Sequence, residues 1–289
     1  GKINTTGFTG TLAFATFTLT NTGTITHAGG TITSGTGGID GGAMTMSSGV
    51  PTAVVTVTGA GTWRLNSLAI QAGGTFTADS ATITMDGNWD SSGGTFTQGT
   101  STVVFATSGN LTVASGAGRG TSELYNLTIN TGITATVLTN NIGISNVLTI
   151  SGTGVFATGG FVVFLNSGNA NPLSCGSGTS ITGTSVLVLN NSVDYNIPAC
   201  TIAKSVQVEN GATGTRTATL TGALTVNDTL WISDIVGADG LVILSTGTNS
   251  LTVTANGMNV GYAAGATTGA ITQTSGTVSI TGNVDIQTA

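Results

Sequence analysis

Gly73-Gly74-Thr75-Phe76-Thr77 returns twenty residues later as Gly93-Gly94-Thr95-Phe96-Thr97, and Thr82-Ile83-Thr84-Met85 returns as Thr102-Val103-Val104-Phe105. Each unit holds two short stretches in which apolar and hydroxyl side chains alternate, separated by glycine. Alternation places one face of a strand inward and the other in water. A single twenty-residue unit cannot bury its apolar face alone, so the repeat predicts coils stacked one on the next.

Outward from this core the rhythm continues. Residues 54–57, 65–70, 75–77, 81–85, 95–97, 102–105, 111–113 and 124–129 read as strands of three to six residues punctuated by Gly or Asn/Ser. No segment carries a helical stripe of ten or more positions. The fold class expected is all-β, a right-handed parallel β-solenoid (β-helix) over 1–289 as a single domain. The alternative is tandem β-sandwich domains, which would bring more than three prolines and more varied strands. Phe161-Val162-Val163-Phe164-Leu165 and Val186-Leu187-Val188-Leu189 are continuously apolar, as strands covered on both faces are. Residues 29–49, with eight glycines, read as loop or irregular coil closed by Pro51, and residues 1–50 as a distinct N-terminal assembly or capping segment. The run from Ala13 to Thr20 reads as an extended strand free to pair with another molecule.

Composition bounds the function. Charged residues make up 6 % of the chain, against about 25 % in ordinary soluble domains, so the surface is hydroxyl and amide. Such a surface offers little charge repulsion between copies and favours assembly. Nine Asp and two Glu are scattered against two Lys and three Arg, giving a net charge of −6. Nucleic acid, which needs clustered cations, is excluded as a partner on this reading. No apolar run is long enough for a membrane helix. Residues 1–20 lack the pattern of a signal peptide, so the chain reads as mature or as a fragment.

Cys175 and Cys200 are the only cysteines. Neither belongs to a Cys/His cluster, which argues against zinc. Two residues 25 apart can sit on adjacent coils about 4.8 Å apart, close to the separation a disulfide prefers, so a Cys175–Cys200 bond and an oxidising compartment are expected.

The words Leu124-Tyr125-Asn126-Leu127-Thr128-Ile129-Asn130, Asn146-Val147-Leu148-Thr149-Ile150 and Gly87-Asn88-Trp89-Asp90-Ser91-Ser92-Gly93-Gly94-Thr95-Phe96-Thr97 are similar to those of β-strand repeat proteins of bacterial and archaeal cell surfaces. Leu224-Thr225-Val226-Asn227-Asp228-Thr229-Leu230-Trp231-Ile232 resembles them too. The resemblance implies a secreted, parallel β-helical surface protein used as adhesin, stalk or filament, and it brings no catalytic residue.

Chemical sites are thin. Asp86, Asn88 and Asp90 alternate as calcium ligands do, but Ser91 and Thr97 stand where an EF-hand needs Gly and Glu, so a turn is the reading; Asp234 and Asp239 flank a similar one. Arg64, Arg119, Lys204 and Arg216 are scattered, no acid pair stands out for glycan cleavage, and His27 sits alone in a Thr/Gly strand where a surface position is expected. Catalytic, cofactor and metal residues are therefore expected to be none, and the chain is read as not an enzyme. Thr-x-Thr units raise ice binding, but only 75–77 and 95–97 plainly repeat, and strand alternation accounts for them. Asn4, Asn110, Asn126, Asn190 and Asn227 are N-glycan sequons. Trp63, Trp89, Trp231, Tyr125 and Tyr195 are expected in core or turn packing. The function expected is a structural subunit of an extracellular filament, sheath or stalk joined by strand pairing, with itself as homopolymer partner. The alternative is an adhesin or carbohydrate-binding segment of a larger surface protein, with surface glycans as partner.

Overall fold

The computed structural model describes residues 2–13, 15–21, 23–46, 53–114, 118, 123–232, 241–261 and 269–286. Pro51, Arg119, Asp234 and Asp239 lie outside them. The described chain is all strand and turn, and its parallel coils stack as a β-solenoid. Each strand pair given in residue register is parallel, which no antiparallel sandwich produces.

The chain divides into two compact units, residues 1–116 with 123–140, and residues 117–122 with 141–289. In the first, the inward positions Ile3, Ile25, Met44, Leu68, Trp89, Leu111 and Val137 stand in register on successive coils. Coil length therefore varies between 19 (Ile25 to Met44) and 26 residues (Leu111 to Val137). The twenty-residue match is one turn of this solenoid, since Phe76 pairs with Phe96 and Ile83 with Val103. Inside, Trp63 meets Phe76 edge-on at 5.2 Å, Phe96 lies 5.9 Å from Phe76, and Trp89 meets Phe96 at 4.8 Å. Such contacts add about 0.5–1.5 kcal/mol each beyond the area they bury.

Residues 29–46 depart from expectation, and 47–49 lie outside the described residues. Thr31–Ser34 and Ile39–Met46 are strands, paired on both sides. Glycine there marks close approach of coils: a Cβ on Gly41 would lie 2.2 Å from the Asn21 carbonyl oxygen. Among the described residues of the span Ala13 to Thr20 there is also no continuous strand. Thr11–Ala13 and Leu19–Asn21 are separate strands with a turn between, each already paired to the next coil.

In the second unit, Ile142, Val163, Leu187, Val206, Leu230, Met258 and Val284 stand in register. Leu187, Val188 and Leu189 are all buried, so this strand is covered on both faces, as its continuous apolar run requires. Cys175 and Cys200 are disulfide-bonded with their Cα atoms 5.7 Å apart. They link neighbouring coils without being register partners: Cys175 pairs with Ile150 and Cys200 with Leu224.

Candidate functional site

Two features of the surface are built by the stacking itself: the edge of the final coil and the outer face of one sheet. In the second unit the strands Gly269–Gln273, Val278–Ile280 and Val284–Ile286 pair with the preceding coil on one side. Their inward-pointing apolar side chains are left open. Val284 is 49 % and Ile286 67 % exposed, whereas their register partners Met258 and Val260 are 4 % and 6 % exposed. The first unit has a comparable first coil, Ile3–Asn4, Thr11–Ala13 and Leu19–Asn21, paired on one side to the coil that follows. Phe8 and Phe17 are exposed there. Strand edges and uncovered core side chains together are what another coil would satisfy.

The second feature was only half visible in the sequence. The five strands Thr11–Ala13, Thr31–Ser34, Val54–Val57, Thr75–Thr77 and Thr95–Thr97 form one parallel sheet of the first unit. Leu12, Ile32, Val55, Phe76 and Phe96 point inward. The outward positions make two rows across successive coils: Thr11, Thr31, Val54, Thr75, Thr95 and Ala13, Thr33, Thr56, Thr77, Thr97. Threonine fills eight of these ten positions. The register thus extends well beyond 75–77 and 95–97. It hides in the sequence because the steps between coils are 20, 23, 21 and 20 residues.

The remaining candidates have structural partners. Asp86 holds Arg64 through two hydrogen bonds of 2.6 and 3.1 Å, Asn88 Oδ1 accepts from the Asn110 amide, and Asp90 Oδ1 accepts from Ser92. Asp86 and Asn88 thus reach neighbouring coils, and Asp90 secures its own turn; among the described residues no three His, Cys, Asp or Glu group to hold a metal. Arg216 donates to the Ser192 carbonyl. Lys204, one of the scattered cations, is 1 % exposed; its Nζ donates to Thr158 Oγ1 at 2.6 Å and to the Phe161 carbonyl at 3.2 Å. Burial pushes its pKa down to about 8.

His27 is likewise not a surface residue. It is fully buried, with Nε2 donating to the Val54 carbonyl at 3.0 Å and Nδ1 2.8 Å from Thr5 Oγ1. A carbonyl only accepts, so Nε2 carries the proton and Nδ1 accepts from the threonine hydroxyl. Burial lowers the ring's pKa, which favours its neutral form. A depression of about 430 Å³ in the first unit is lined by Ala13, Ala15, Thr16, Thr33, Ser34, Gly35 and two further threonines, with no titratable group.

The sequons fall in different settings. Asn4 is exposed, and its Oδ1 accepts from both the amide and hydroxyl of Thr6. Asn227 is exposed; Asn110 and Asn126 are half-buried in strands. Asn190 is buried and its Nδ2 donates to Asn166 Oδ1. Trp63, Trp89 and Tyr195 are in the core, as expected, while Tyr125 and Trp231 are half-buried. Among the described residues no helix is long and apolar enough to cross a membrane. Comparison with family models, curated proteins and solved structures found no match.

Proposed function

We propose that this chain is a structural subunit of an extracellular filament, sheath or surface stalk, extended by strand pairing between copies. The observation that carries this reading is the final coil, whose core side chains Val284 and Ile286 are uncovered beside three strands paired on one side. A coil of a second copy, offering the complementary edge of Ile3–Asn4, Thr11–Ala13 and Leu19–Asn21, would continue the ladder by β-augmentation. The near-absence of charge removes the repulsion that keeps such edges apart, and the disulfide suits an oxidising, extracellular setting. The likeness of the repeat words to those of cell-surface β-strand repeat proteins supports the same role.

The test is sedimentation velocity of the purified chain over a hundredfold concentration range, beside the double variant Val284→Lys, Ile286→Lys. Concentration-dependent assembly of the unaltered chain, abolished in the variant, is expected. A chain that stays monomeric at every concentration overturns self-assembly. That result leads to the second reading, an adhesin segment of a larger protein whose own next coil covers this edge.

A further inference from the structure

From the threonine face of the first unit we infer that this chain binds ice. Three properties of the sheet carry the assignment. First, the array is two-dimensional: threonines recur along the strand at every second residue, about 6.6 Å apart, and across coils at about 4.8 Å, in the registers Thr11–Thr31, Thr33–Thr56–Thr77–Thr97 and Thr75–Thr95. Hydroxyls repeating at fixed intervals in two directions are what an ordered lattice of water can meet.

Second, all eight hydroxyls are uncommitted: none has a hydrogen-bond partner among the described residues, and the residues bearing them are exposed or half-exposed. Elsewhere the chain uses threonine differently. Thr58, Thr158, Thr179, Thr221 and Thr246 each donate to a backbone carbonyl. The hydroxyls of the array are thus left to water, and their β-branched side chains restrict where each can point.

Third, the array is uncharged and rigidly backed. Its ten outward positions hold only Thr, Val54 and Ala13, and beneath them Ile32, Val55 and Phe76 are at most 1 % exposed. A charged partner finds no counter-charge here, and a protein partner finds no apolar patch to bury. A lattice of water molecules, periodic in both directions and uncharged, matches what the face offers: methyl groups spaced between hydroxyls that replace lattice oxygens.

The experiment uses the full chain at dilute concentration, measuring its partition into a slowly grown ice hemisphere and its thermal hysteresis. Thr56→Lys and Thr77→Lys place a long cation in the middle of the array; Thr84→Lys, on the outward side of a neighbouring sheet, is the control. Folding of each is checked by circular dichroism. The unaltered chain and T84K are expected to enter the ice and hold a freezing gap, and T56K and T77K to lose at least tenfold of that gap. Exclusion of the unaltered chain from ice overturns the assignment, whether it proves monomeric or paired through this face to a second copy. Equal retention of activity by T56K and T77K overturns it as well.

Discussion

His27 and Lys204 show how the setting of a single side chain escapes a reading by residue type. Sequence suggests a surface place for His27 and no place for Lys204, and both are in the interior because hydrogen-bond partners meet them there. Nothing local announces this: the partners Thr5, Val54 and Thr158 come from other coils, 22 to 46 residues away. The pH consequences have defined signs. The folded His27 pKa lies below its ordinary 6.5, so on acidification the unfolded chain takes up a proton that the folded one refuses. The stability is full above pH 6.5 and is lost as pH falls below it. Urea midpoints at pH 7.5 and 5.0 should therefore drop, and His27→Gln, in a chain with one histidine, should flatten that difference. Lys204 has its pKa lowered to about 8 from 10.5, so between these values the unfolded chain holds the extra proton and stability rises with pH. Midpoints measured from pH 8 to 9.5, below tyrosine ionisation, should climb, and Lys204→Met should remove the climb.

At the scale of strands and coils, the repeat was legible where two adjacent coils have the same length, as 73–85 and 93–105 do. It was illegible where coil length drifts from 19 to 28 residues, because drift in the turns erases the sequence match while leaving strand register intact. Residues 29–46 were misread for a related reason. Glycine normally argues against strand, but in stacked coils it also marks the points where one backbone crosses close to another, as at Gly41. The core stacking makes a measurable claim. Phe76, fully buried and touching both Trp63 and Phe96, should lose about 3–5 kcal/mol on Phe76→Ala in denaturant unfolding. The disulfide closes a loop of 26 residues, from 175 to 200, so its reduction should lower stability by about 3.5 kcal/mol. Unchanged midpoints after reduction would mean that neighbouring coils hold this loop without it.

For the molecule as a whole, fold class was readable because period-two alternation, glycine spacing and repetition all report on one physical need, covering an apolar face with the next coil. The threonine face was not readable to the same degree, since a surface spread over five coils exists only once register is known. Function lies further still from the sequence, because neither the open coil nor the threonine array uses a catalytic residue type or a motif of fixed spacing. What the solenoid supplies is repetition, and the proposed role rests on strands that, among the described residues, pair on one side beside exposed Val284 and Ile286. The most direct test is negative-stain electron microscopy of the purified chain beside the Val284→Lys, Ile286→Lys variant. Unbranched filaments of uniform width from the unaltered chain, and discrete particles from the variant, are the predicted result. Discrete particles of single-chain mass from both would contradict it.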